Sequence, residues 1–163
     1  NKTYRIPMEY NPAGLTKEFT KAFKKMVEGA AADGVTLFQV SGYRDFETQY
    51  VIYNRYARSD GVKQADTYSA RPGHSEHQTG LALDINSLSS AWGETAEGRW
   101  LSEHCHEYGF IVRYPKGKSD ITGYIYEPWH ARYVGVEMAQ KIYESGLTLE
   151  EYLGIDSQYP EYR

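Results

Sequence analysis

The stretch 74–84 reads HSEHQTGLALD and places two histidines, a glutamate and an aspartate within eleven residues. Asp84 lies between Leu83 and Ile85, in a pattern that otherwise announces a buried strand. A carboxylate is costly to bury there unless another charge pairs with it, and a metal ion is the obvious candidate. A second segment, EPWH at 127–130, supplies His130 with Glu127 three residues before it. Together the two segments offer a ligand set of His77, Asp84 and His130, with Glu127 left over. A catalytic zinc site asks for three protein ligands of nitrogen or oxygen type and one open position for water. The pKa of that water falls to roughly 7, and a free carboxylate can then take its proton. Glu127 is read as this base and not as a ligand.

Spacing limits how these residues can meet. His77 and Asp84 are seven residues apart, and in a regular strand an odd separation puts them on opposite faces. His77 must therefore lie on the loop before the strand, where Gly80 permits a bend. Asp84 shares its strand face with Ala82, whose small side chain leaves room beside the site. On this motif alone a solvent-facing Asp84 stays open as the other reading. His74 and His77 can both approach a metal from a loop, and one of them can instead stand behind the ligands. His104 and His106, on a predicted helix, point about 200° apart. They cannot grip one ion and are read as surface or packing residues.

The elements around these motifs follow from periodicity. Leu15, Phe19, Phe23, Met26, Val27 and Ala30 form one helical stripe, with Gly34 as its stop. TLFQV at 36–40 reads as a strand. Asp45 caps a second helix over 46–58, with Phe46, Tyr50, Tyr53 and Ala57 on one face. The polar, Gly- and Pro-containing segment 59–75 reads as a long loop, of the kind that is often functional. TGLALDIN at 79–86 alternates as a half-buried strand. A third helix spans 95–108 and stops at Gly109. FIVRYP is a strand ended by Pro115, 116–122 is a turn, and GYIYEPWH at 123–130 is a further strand, whose Pro128 places its end near an edge. The run ARYVGVEMAQKIYESG continues as a helix, and Thr148 with Glu151 forms a capping box for a short last one. Helices at both ends and strands in the middle predict an α+β fold around a small antiparallel sheet.

Composition narrows the class. A chain of 163 residues with 40% hydrophobic and 25% charged residues fits one soluble globular domain. Its net charge of −4, from 18 basic and 22 acidic side chains, argues against a nucleic-acid partner. No apolar run approaches the ~18–20 residues of a membrane span. The single cysteine, Cys105, excludes an internal disulfide and a cysteine-rich metal site. The sixteen tyrosines read as packing residues with their hydroxyls at the edge of a mixed core. The chain starts at Asn1 and not Met, which reads as a trimmed fragment.

Ser75-x-His77-x-x-Gly80-x-Ala82-x-Asp84, followed by Glu127-x-x-His130, resembles the signature of the VanY-type D-alanyl-D-alanine carboxypeptidases. They belong to a wider group of zinc peptidases that is similar to lysostaphin-type enzymes and the hedgehog amino-terminal domain. SGYR at 41–44 with Gln49, SARPGHSEHQ at 69–78, YGFIVRYP at 108–115 and EPWHARYVG at 127–135 agree with it, so the resemblance covers most of 36–135. The tail 155–163 matches nothing. The resemblance implies one Zn²⁺ per chain, held by His77, Asp84 and His130, with Glu127 as catalytic base. It implies Arg44 as a cation near the scissile carbonyl, and Gln49 and Ser75 as contacts to a terminal D-alanine. His74 is not a ligand in this pattern. The implied protein is a single zinc peptidase domain over 1–163, a monomer, cut from an exported, anchored bacterial protein and acting on peptidoglycan stem peptides outside the membrane. D,D cleavage of pentapeptides is the first expectation. L,D cleavage of tetrapeptides, an endopeptidase and a zinc-bearing binding domain without turnover are the alternatives.

Overall fold

The computed structural model describes residues 14–162. Of the domain expected over 1–163, residues 1–13 and Arg163 lie outside the described residues. Helix α1 (Lys17–Ala32) starts where the Thr16 hydroxyl accepts from the Phe19 amide, and helix α2 (Phe46–Asp60) starts where Asp45 accepts from Thr48. Both caps satisfy amides that have no partner inside the helix. Next come α3 (Val62–Ala65), α4 (Ala96–His104), α5 (Ser119–Thr122), α6 (Val136–Ser145) and α7 (Leu149–Leu153). The capping box of Thr148 and Glu151 opens α7 as expected. The four strands are β1 (Gln39–Ser41), β2 (Ala82–Ile85), β3 (Phe110–Tyr114) and β4 (Glu127–Tyr133). They form one antiparallel sheet in the order β1-β2-β4-β3, so the α+β expectation holds.

The sheet separates a core face from a site face. Leu83 and Ile85 of β2, Phe110 of β3 and Ala131 of β4 pack with Phe19, Met26 and Ala30 of α1 and Leu101 of α4. Alternation along β2 sends Ala82 and Asp84 to the opposite face. That face is covered too, because all four β2 residues are buried. The half-buried strand of the sequence reading is therefore buried on both sides, and Asp84 is no solvent-facing residue.

Several elements differ from expectation, each for a local reason. The strand over 36–40 shrinks to 39–41 because the Asn86 side chain takes over its backbone. Asn86 Oδ1 accepts from the Phe38 amide and its Nδ2 donates to the Thr36 carbonyl, each at 2.8 Å. The strand expected over 123–130 begins at Glu127 and runs to Tyr133 through residues assigned to a helix. It is central, not an edge. Pro128 is tolerated there because the β2 ladder starts only at His130, and the β3 register shifts between Val112 and Tyr114. The third helix ends at His104 and continues as a 3₁₀ turn over 105–108. The loop 59–75 contains α3. On α2 the inward residues are Gln49 and Tyr53, whereas Tyr50 is exposed.

Candidate metal centre

Two strands and one tight turn bring the three expected ligands together. Asp84 and His130 are direct partners in the antiparallel β2–β4 ladder, and residues paired in this way project from the same face. His77 arrives from a 3₁₀ turn, Glu76–Thr79, that ends at Gly80 in the left-handed conformation with φ 69°. Glycine adopts it without steric cost, so the bend required by the odd spacing is present. Each of His77, Asp84 and His130 is buried, and one donor atom from each lies within 4.8 Å of the others. His77 Nε2 is 3.5 Å from Asp84 Oδ2, and His130 Nδ1 is 3.4 Å from Asp84 Oδ1.

The donor set fits zinc. Ligand atoms at the corners of a tetrahedron, with bonds of about 2.0–2.1 Å, stand about 3.3–3.4 Å apart, close to the separations found. Asp84 Oδ1 is buried and has no partner in hydrogen-bonding geometry, a costly state unless a ligand takes it up. The histidines are also oriented from behind, as metal-binding imidazoles usually are. His77 Nδ1 lies 2.7 Å from the Gly42 carbonyl oxygen, which leaves Nε2 facing Asp84. His130 Nε2 lies 3.3 Å from Glu76 Oε2, which leaves Nδ1 facing Asp84.

Glu127 sits beside this trio but outside it. Its Oε2 is 3.7 Å from His130 Nδ1. Burial pushes its carboxyl up to about 7, His130 opposes that shift, and the negative charge of Asp84 adds to it. Burial would raise Asp84 as well, but His130 and His77 outweigh it and hold Asp84 below the usual carboxylate range. With no metal between them, the two carboxylates are thus pushed apart, Glu127 upward and Asp84 downward.

A cavity of about 510 Å³ opens in front of the trio, and Arg44, Gln49, Ser75 and Glu127 all line it. The Arg44 guanidinium donates to Gln49 Oε1 at 2.8 Å and to the Ser41 hydroxyl at 3.0 Å, and lies 3.7 Å from Asp84 Oδ2. Gln49 Nε2 donates to the Ala70 carbonyl at 2.6 Å. This explains how a polar side chain occupies the buried face of α2: its amide joins Arg44 to the 66–74 segment. The Ser75 hydroxyl accepts from the His77 amide at 3.3 Å.

The remaining histidines lie apart from the cluster. His74 meets the Tyr159 ring edge-on, His106 stacks on Tyr143 at 3.7 Å, and His104 pairs with Glu107. Sequence reasoning found no use for the tail, yet it anchors the wall behind Gln49. Tyr159 accepts from the Arg71 amide and lies under its guanidinium, and Tyr162 donates to Asp66. Reasoning from sequence also assigned no role to Glu76, Arg113 or Glu150. Glu76 stands inside the quoted motif, but nothing in the pattern links it to an arginine 37 residues away.

Comparison with known proteins identifies the family and the fold. The profile of the family described as VanY, D-alanyl-D-alanine carboxypeptidase, matches residues 12–136. The chain belongs to the VanY family. Among VanY relatives, the putative carboxypeptidase YodJ of Bacillus subtilis is 43% identical over 93% of this chain. The chain spans 64% of the length of YodJ, and 44% and 65% of two enterococcal D-alanyl-D-alanine carboxypeptidases. The structure of the LdcB LD-carboxypeptidase superposes with a TM-score of 0.82 at 46% identity, covering 86% of this chain and 68% of that one. A vancomycin-resistance D,D-pentapeptidase VanY variant in complex with Zn(II) gives a TM-score of 0.82 at 38% identity, covering 94% and 96%.

Proposed function

We propose that this VanY-family chain is a single zinc carboxypeptidase domain, acting outside the bacterial membrane to release the terminal D-alanine of peptidoglycan stem peptides. The observation that supports this best is the buried trio of His77, Asp84 and His130 with the Glu127 carboxylate beside it, at the wall of one cavity. Zinc held by the trio supplies a water of lowered pKa and polarises a carbonyl. Glu127 takes the proton of the attacking water and returns it to the departing D-alanine amine as the C–N bond breaks. Arg44, fixed by Gln49 and Ser41, offers a guanidinium to the oxyanion that develops on the scissile carbonyl. Gln49 and Ser75 shape the wall for the terminal D-alanine, and Gln49 acts also through its hold on Arg44.

A second reading, L,D cleavage of tetrapeptides, is favoured by one observation: the LdcB LD-carboxypeptidase is 46% identical to this chain, against 38% for the D,D-pentapeptidase VanY. The choice between the two readings depends on whether the pocket before the scissile bond accepts a D- or an L-configured residue. Mass spectrometry of synthetic tetra- and pentapeptide stems, incubated with zinc-loaded protein with and without a chelator, separates them. Loss of one alanine from the pentapeptide alone supports D,D cleavage, and loss from the tetrapeptide supports L,D cleavage. Absence of release from either, by protein that carries zinc, overturns the proposal and leaves an endopeptidase or a binding domain.

A further inference from the structure

Behind His130 lies a buried chain of charges that the proposed reaction does not use. Glu76 is enclosed by three cations or donors. Its Oε1 accepts from Arg113 Nε at 2.8 Å and lies 3.1 Å from Arg132 Nη1, and its Oε2 is 3.3 Å from His130 Nε2. Arg113 in turn gives both terminal nitrogens to Glu150, at 2.9 and 2.6 Å. Glu150 is 1% exposed and Arg113 6%. Four buried or half-buried charges thus link α7, β3 and the 76–79 turn to one imidazole.

Such a network is expensive. Each ion costs several kcal/mol to desolvate, and apolar residues of like size are often as stable. Stability alone is a weak reason for it. Its geometry does one specific thing. Oε1 of Glu76 is taken by the two guanidinium groups, which locks the carboxylate and aims Oε2 at His130 Nε2. An imidazole that donates from Nε2 presents its Nδ1 lone pair, and Nδ1 is the atom that faces Asp84. Two arginines and two glutamates also balance, so the network adds no net charge beside the site.

We propose that Glu76 is a positioning residue for the metal centre, setting the tautomer and ring orientation of His130, and that Arg113, clamped by Glu150, holds Glu76 in register for that task. This rests on the reading of His130 as a metal ligand. Loss of an outer partner of this kind typically costs 10–100-fold in metal affinity.

The test is zinc affinity, measured by competition with a chromophoric chelator, for the wild type, Glu76→Ala and Glu76→Met. Met26→Ala, in the core on α1, serves as a control for general destabilisation, and thermal unfolding of each apoprotein is recorded alongside. Glu76→Ala is expected to weaken zinc binding about 10–100-fold, while Met26→Ala leaves it within about threefold even where its melting temperature falls as far. Zinc affinity within about threefold of wild type in a folded Glu76→Ala variant overturns the inference. Where Glu76→Ala does not fold, Glu76→Met, which fills the space without a carboxylate or amide acceptor, decides by the same threshold. A wild type that binds no zinc sinks the metal-site reading itself and this inference with it. A wild type that binds normally beside an unaffected Glu76 variant sinks this inference alone.

Discussion

Replacing Glu127 by glutamine isolates the proton-transfer step from the rest of the site. The residue is 6% exposed and starts β4 opposite Tyr114, so an amide of the same shape keeps the packing and the strand register. Glu127 is not one of the three residues whose donor atoms cluster, and Glu127→Gln should still bind one zinc per chain. What it loses is the basic oxygen 3.7 Å from His130. A general base contributes about 10²–10⁴ in rate, which at 1.36 kcal/mol per decade is about 2.7–5.4 kcal/mol of barrier. Since this interaction belongs to the transition state, kcat and kcat/KM should fall together with KM little changed. The assay is steady-state release of D-alanine from a stem peptide, with zinc content and circular dichroism measured on the same sample. Wild-type turnover in a zinc-loaded, folded variant would show that Glu127 is structural. Loss of the metal would instead make it a ligand, and the division of labour between Asp84 and Glu127 would have to be redrawn.

Arg44→Ala should lower kcat and kcat/KM together by about 10²–10³, the usual effect of removing one oxyanion donor. Arg44→Lys should recover little, because one ammonium cannot reproduce a fork that reaches Gln49 and Ser41 at once; a rise in KM alone would make Arg44 a carboxylate anchor. Gln49→Ala should lower kcat as well as raise KM, since the same amide holds Arg44, and a pure KM effect would refute that coupling. His130→Ala should lose zinc altogether, and stoichiometric metal in both that variant and His77→Ala would rule out the site. Burial alone would raise the Glu150 carboxyl, but Arg113 and the Ser157 hydroxyl outweigh it and hold its pKa below the usual value. Its charge therefore stabilises the fold above the unfolded carboxylate pKa of about 4.3, and that contribution is lost as the pH falls through the lower folded value. The melting temperature should drop in that acid window and drop less steeply in Glu150→Gln; parallel curves would remove Glu150 as a cause.

The candidate site was legible in the chain because metal ligands must be particular residue types. His77, Asp84, Glu127 and His130 could be named as candidates from local motifs, and the seven-residue gap between His77 and Asp84 already required His77 to leave the strand, where Gly80 permits a bend. Helix starts at Asp45 and Thr148 were legible for the same reason, since a cap is a contact across three residues. Periodicity reports which face a residue occupies, but not which strand lies beside it. Only the fold set Asp84 opposite His130, made β4 central despite Pro128, and turned Gln49 inward, where its amide is satisfied by partners on other segments. The same holds for the link from Glu76 through Arg113 to Glu150. Each of its ion pairs spans 37 residues, and buried charges find their partners through chain packing in space, which residue type and local spacing do not encode.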